Sequence, residues 1–317
     1  MNGGAVRLTF QIRLTYKMVN KTERNNKRNM GAFYVIASAV LFGLMPLFTK
    51  TAYQYGSNAY SAAFGRFFFG SLILLVIILI KPGARLRLER RQLLRIFALS
   101  LFYAAMPVLL YESYNYLNSG LATTLHFTYP VIVIIIMTLF FGNKINLKQM
   151  ICTALCAVGM ILMCDPGDSA HTVGIVLAVI SGLAYALYIV FLGRSDLNSV
   201  PALTLCFWLS TFSAVEIGIV AAVTGKMSFT ISPRGWIAEF MLALFCTVFA
   251  LMMFQKGVFL CGEVKASLLS TFEPITSAVV GVIVFNESIT LKTALGIAAI
   301  LLSAILLSAG KKPEREE

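Results

Sequence analysis

Charge is scarce in this sequence, and acidic charge scarcest. Of 317 residues only 13% are Asp, Glu, Lys or Arg, with 14 acidic residues against 26 basic ones. A soluble domain of this length needs a far more charged surface, which excludes a water-borne enzyme or a secreted module. There are two histidines, His126 and His171, and neither belongs to an HExxH zinc pair. No GxSxG elbow and no paired aspartates stand inside an apolar run, so an integral-membrane enzyme finds no nucleophile with its base at membrane depth. A Walker phosphate loop is also missing, which removes direct use of ATP. The six cysteines include no CxxC pair; they read as small apolar residues, and neither metal, disulfide nor cofactor is expected. The period-two alternation of a membrane barrel is absent as well.

What the chain has in abundance is apolar length. It is 58% hydrophobic with a mean hydropathy of +0.82. Ala122 to Gly142, Val173 to Leu192 and Ala294 to Gly310 contain no charged residue. About 20 such residues cross a ~30 Å hydrocarbon core as a helix. The predicted fold is therefore all-α and integral to a membrane. Its ten spans are Gly31–Phe48, Ala59–Ile80, Leu94–Leu110, Gly120–Phe141, Leu147–Met163, Gly174–Gly193, Ala202–Val223, Trp236–Phe254, Ala266–Phe285 and Leu291–Ser308. The net charge of +12 would suit nucleic acid, but its placement points to a bilayer. With the N-terminus in the cytoplasm, every Lys and Arg falls on the inner side except Lys50, Lys226, Arg234, Lys292 and the intramembrane Arg66. That is the positive-inside pattern. It puts both termini in the cytoplasm, of the plasma membrane in this reading, and makes the lipid bilayer a partner and nucleic acid none. Residues 1–29 have charges but no apolar h-region, so they read as a polar cytoplasmic extension, with Met18 an equally good start. Residues 310–317 read as a cytoplasmic tail.

The chain also repeats itself. At an offset of 143 to 144, Gly31 falls on Gly174, Ser38 on Ser181, Phe42 on Tyr185, Tyr111 on Gln255, Pro130 on Pro274 and Lys148 on Lys292. Each copy holds five spans, over 30–164 and 172–309. Five is odd, so the second copy enters the membrane from the opposite side. Inverted repeats of this kind place a site near the midplane between halves that rock in alternation, which is the architecture of a secondary transporter.

The stretches "GLATTLHFTYPVIVIIIMTLFFGNKINLKQ" and "EVKASLLSTFEPITSAVVGVIVFNESITLKTALGIAAILLSAILLS" carry the match to a known family. With "FGRFFFGSLILL" around Arg66 and "GIVLAVISGLAYALYIVFLGR", they resemble the two EamA repeats of the drug/metabolite transporter superfamily. The resemblance covers residues 31 to about 309. It implies a ten-helix permease or exporter of small metabolites such as amino acids, with the fifth and tenth helices peripheral. The first copy departs from it, having Tyr129 and Asn143 where the second has Glu273 and Glu287, so the two halves are chemically unequal.

Three charged groups stand out inside the spans: Arg66, Glu216 and Glu273. Each costs about 2.5–3.5 kcal/mol at a helix centre unless it faces protein or water. Glu273 lies ~12 Å into its span. Pro274 beside it donates no N–H and breaks the helix there. Ser270, Glu273, Ser277 and Gly281 form one small, polar stripe, and the repeat maps Ser270 on His126 and Glu273 on Tyr129. Two broken helices lining a central cavity is one reading; kinks with internally satisfied groups is the other. Arg66 and Glu216 sit on repeat mates: they form a structural ion pair, or Arg66 is held by backbone carbonyls, or they are a gate touching substrate. Tyr103, Tyr111, Tyr185 and Gln255 join the candidate pathway, although Tyr111 near a span end equally suits an interfacial belt. Pro46 and Pro107 read as further kinks. Gly296, Ala299 and Ser303 give the last span a small-residue face for close packing or a homodimer. The expectation is a secondary carrier for a small molecule, working by proton antiport, by exchange with a counter-substrate or by downhill leak, with Glu273 the proton carrier where a proton is used. Its rivals are a membrane enzyme and a non-transport scaffold.

Overall fold

The computed structural model describes residues 26–83, 86–117, 119–163, 172–285 and 291–309. Most of the N-terminal extension, the tail, His171 and Glu287 lie outside them. Among the described residues every regular element is a helix. In chain order these are α1 (Asn26–Gln54), α2 (Ala59–Ile80), α3 (Arg90–Ser113), α4 (Ser119–His126), α5 (Tyr129–Leu139) and α6 (Leu147–Met163). They continue as α7 (Thr172–Arg194), α8 (Ala202–Val223), α9 (Pro233–Cys261), α10 (Glu263–Leu269), α11 (Phe272–Phe285) and α12 (Leu291–Ala309). A short 3₁₀ turn, Asp196–Ser199, lies between α7 and α8.

Six of these helices, α1, α2, α3, α7, α8 and α9, are long and apolar enough to cross a membrane; α5, α6 and α12 contain shorter apolar stretches. Their surface is the reverse of a soluble protein's. Leu79, Ile80, Phe140, Ile161 and Ile283 are exposed, while Arg66, Glu239, Gln255 and Glu273 are buried. The chain is an integral, multi-pass membrane protein.

Local chemistry sets the helix ends. The Asn58 side chain accepts from the Ser61 N–H at 2.9 Å and starts α2. The Glu89 N–H donates to Gln92 Oε1 at 3.1 Å and starts α3. Gly262, at φ 85°, makes the turn from α9 to α10, a conformation that disfavours any side chain.

The helices are interrupted where prolines enter. Chain between α4 and α5 leaves the helix at Phe127 and Thr128, just before Tyr129 and Pro130. Between α10 and α11 it does so at Ser270 and Thr271, just before Glu273 and Pro274. These two breaks occupy the same register of the sequence repeat. α1 is likewise interrupted at Gly43 and Leu44, before Pro46. Pro107 differs: α3 runs through it unbroken.

Packing follows the repeat: α2–α8 and α6–α12 are repeat mates, and the α3–α7 and α1–α9 contacts are counterparts of each other. α6 lies on α12, α2 on α8, α3 on α7, and the second half of α1 on the start of α9. Glycines bring several of these axes close. A Cβ on Gly159 of α6 would stand 2.7 Å from Ile300 and 2.8 Å from the Gly296 carbonyl of α12. The Ser303 hydroxyl also donates to the Cys152 carbonyl at 2.9 Å. The small-residue face of the last span thus packs closely on α6 of the same chain, the first of the two uses expected for it. Gly159→Leu drives a side chain into the α12 backbone. Overpacking of this kind costs about 1–3 kcal/mol or more, and the purified variant's thermal midpoint in detergent is expected to fall accordingly.

Candidate functional site

Arg66 sits on α2 with no exposed surface at all. Taking a guanidinium out of water is tolerated only when its N–H groups are occupied. Here α3 and α9 supply the acceptors. Nη2 donates to the Tyr103 hydroxyl at 3.0 Å and to the Cys246 carbonyl at 3.5 Å, and Nε donates to Thr247 Oγ1 at 3.1 Å. Nη1 reaches the Tyr111 hydroxyl at 3.5 Å and Met45 Sδ at 3.2 Å. The rings of Phe42 and Phe67 lie against the guanidinium, 5.6 and 5.2 Å from Cζ. Cys246 and Thr247 belong to a π-helical segment of α9, Ala243–Ala250, whose wider turn brings them to Arg66. The Ser38 hydroxyl takes up the Ala250 carbonyl at the end of that segment, at 2.8 Å.

No carboxylate enters this shell. Among the described residues Arg66 forms no ion pair. The expected partner, Glu216, instead receives the Ser100 hydroxyl at 2.5 Å, and its Oε2 is buried without a partner among the described residues. That corrects the Arg66–Glu216 pairing: the two helices do pack together, but Glu216 faces α3 at a different level. Tyr111 is corrected too. It is fully buried against Arg66, so it is no belt residue.

From Arg66 a contiguous run of rings leads to the helix break before α5. Tyr103 meets Tyr188 at 4.6 Å between centroids, Tyr188 stacks on Tyr185 at 6.0 Å, and Tyr185 meets Tyr129 at 4.8 Å and His126 at 5.7 Å. Ser181 holds the His126 ring in place. Its hydroxyl lies 2.6 Å from the Ala178 carbonyl and 2.9 Å from His126 Nδ1, so it ties the ring to α7. Gln255 holds Tyr188 from α9: its Nε2 donates to the Tyr188 hydroxyl at 3.3 Å, and its Oε1 accepts from Cys206 at 3.0 Å.

Glu273 lies at the second break, in the first turn of α11, where the helix N-terminus favours a negative charge. It is 8% exposed and makes no side-chain hydrogen bond or ion pair with the described residues. Its carboxylate lies within electrostatic range of Arg66, Tyr129 and Tyr185. Ser270 turns its hydroxyl back to the Ala266 carbonyl at 2.9 Å. Ser277 donates to the Gly43 carbonyl at 3.0 Å, which joins the break in α1 to that before α11. The centre is packed rather than open: Tyr103, Tyr111, Tyr129 and Gln255 have no exposed surface.

Sequence reasoning missed Thr247, Tyr188 and Glu239. The repeat offset of 144 that relates Tyr111 to Gln255 also relates Tyr103 to Thr247, and both hold Arg66. Tyr188 follows Tyr185 by three residues, one helical turn on the same face. Glu239 lies inside the predicted eighth span, a fourth charged group within the spans where three were expected, and it is fully buried. It receives the Ser57 hydroxyl at 2.6 Å and packs against Gly65, with Oε2 unpartnered among the described residues.

A lysine at 66 offers one ammonium in place of a planar fork with five donors. Arg66→Lys leaves at least one of Thr247, Tyr103 and Tyr111 unsatisfied, at about 1–3 kcal/mol for each such group. A thermal melt of the purified variant should show a lower midpoint than the parent protein.

The sequence model of the EamA-like transporter family matches residues 29–164 and again residues 172–309. An uncharacterized transporter of Archaeoglobus fulgidus is 26% identical over 278 residues, covering 88% of this chain and 96% of its own. The uncharacterized transporter YvbV of Bacillus subtilis is 24% identical over 254 residues, covering 77% of this chain and 80% of its own. A crystal structure superimposes with a TM-score of 0.72 at 13% identity, over 87% of this chain and 95% of that one. At that identity the likeness speaks for the fold alone.

Proposed function

The chain belongs to the EamA-like transporter family, whose members among its relatives are named as transporters. From that premise we propose that it is a secondary carrier that exports small zwitterionic metabolites, amino acids among them, by alternating access. The observation that carries this is the unpaired Arg66. A permanently charged group has been buried with hydroxyls, a carbonyl and rings around it and, among the described residues, no counter-charge in contact. A substrate carboxylate would supply that charge by displacing the longer contacts to Tyr111 and the Cys246 carbonyl, both at 3.5 Å. Glu273, alone at its helix break, is the complementary anchor for an ammonium group. The tyrosines and His126 between them suit an apolar or aromatic side chain.

The path between the two faces is supplied, in this proposal, by ten spans in two inverted halves with both termini in the cytoplasm of the plasma membrane. Three features support it. The breaks before α5 and α11 share one repeat register, Tyr103 and Thr247 from opposite halves converge on one arginine, and α6 and α12 pack as mates. α5 and α11 follow those breaks, so a hinge at each lets one half rock against the other while the rest of each helix stays packed. Protonation of Glu273 removes the charge that holds the ammonium and releases the substrate, which couples one proton to each cycle. The protein itself is a non-enzymatic transporter in this account, since the chemistry ends with release.

The test uses purified protein in proteoliposomes and a panel of labelled amino acids and small metabolites. Counterflow of at least one is expected, reduced at least tenfold in Glu273→Ala and retained in Glu287→Ala. Flux that survives Glu273→Ala would move the site elsewhere. Across a series of pH values Glu273→Gln is expected to give a flat rate where the parent protein gives a sloping one; a slope unchanged in Glu273→Gln would remove Glu273 from proton coupling.

A further inference from the structure

Away from the central site, a cleft of about 360 Å³ opens between one end of α3 and the end of α7. The charge pattern places it on the cytoplasmic side. Its walls are Leu99 and Phe102 from α3 and Phe191 from α7, with Phe102 and Phe191 stacked at 5.7 Å. Its mouth carries Arg95, Arg194 and Ser195. Each arginine is held in place by one carboxylate. Arg95 Nη1 meets Asp196 at 2.8 Å, and Arg194 Nε meets Glu263 at 3.3 Å, with its guanidinium over the Phe141 ring at 4.7 Å. Those bonds orient the two forks without exhausting them. Arg95 keeps Nε and Nη2, and Arg194 keeps Nη1, free of hydrogen bonds to the described residues. Asp196 is 83% exposed, so water screens its hold on Arg95, and an anion arriving in the cleft competes with it on good terms.

We propose that this cleft binds the headgroup of an anionic phospholipid from the cytoplasmic leaflet. The phosphodiester carries one negative charge and several acceptor oxygens, which suits two guanidiniums that each retain donors. A leaflet rich in anionic lipid supplies it at high local concentration. The apolar wall decides for a lipid over a free anion. Phe191 is itself exposed and stacks on Phe102, so the apolar wall of the cleft continues onto the outer face of α7, where acyl chains lie. A small hydrophilic anion gains nothing from that surface, whereas a lipid lays its acyl chains against it and so holds its headgroup beside the two arginines. This inference does not depend on the transported substrate.

The full-length protein, delipidated in detergent, is titrated with phosphatidylglycerol and with phosphatidylcholine of the same chains and examined by native mass spectrometry. Phosphatidylglycerol is expected to bind at least tenfold more tightly. The double variant Arg95→Gln with Arg194→Gln should lose that preference, and Arg90→Gln with Arg91→Gln, which leaves the cleft intact, should keep it. Should the double variant lose its fold, Ser195→Asp keeps both ion pairs, adds a negative charge at the mouth and should abolish the preference by itself. Equal binding of the two lipids overturns the proposal, as does a preference that survives either cleft variant. Displacement of phosphatidylglycerol by equimolar inorganic phosphate overturns the lipid assignment and makes the cleft a free-anion site.

Discussion

A guanidinium enclosed by protein inside a bilayer dominates this structure. It never loses its proton, and it has no water to turn to, so the neighbouring helices must present acceptors to it. α3 does so with two tyrosines. α9 does so by changing its winding: the π-helical stretch delivers a hydroxyl and a main-chain carbonyl to the same point. Close approach of α9 to α2 is in turn possible because Gly65 and Gly70 have no side chains to block Glu239 and Thr247. The arginine, the irregular helix and the glycines form one solution to one desolvation problem. Among the described residues that solution includes no counter-ion, and the functional account rests on this.

The second organising constraint is backbone. In lipid a broken helix must satisfy its freed groups internally, and here the breaks meet other helices. Gly182 of α7 lies against the His126 carbonyl at the first break, 2.6 Å from where its Cβ would stand. Gly43 lies against the second, where its carbonyl accepts from Ser277. The first helix of each sequence repeat thus supports the break in the fourth helix of the other. That crosswise arrangement couples the halves at the level where Glu273 and Tyr129 sit, so a movement of either break reaches both.

Much of this was legible in the chain. The prolines at 130 and 274 are single residues whose effect is local and steric, so the breaks beside them follow from sequence. The repeat register is equally local in kind, and applied consistently it would have found Thr247 from Tyr103. The contacts of Arg66 were not legible, because they depend on which faces of α2, α3 and α9 meet, and on a π-helical turn that no residue type announces. Tyr111 looked interfacial because distance along a helix was all the sequence offered; burial is decided by neighbours. Glu239 stood near a span end, where a charge is inexpensive, and only its packing on Gly65 shows it to be enclosed. Glu216 and Arg66 were joined because both are charged and lie on mated spans, whereas a hydroxyl on α3 was nearer.

The central claim is that Arg66 receives a carboxylate. It is tested most directly by measuring the affinity of one transported amino acid and of its decarboxylated amine, on the parent protein and on Arg66→Gln. The account predicts that the parent protein binds the amino acid far better than the amine, and that Arg66→Gln binds the two about equally. A preference for the amino acid that persists undiminished in Arg66→Gln would contradict it.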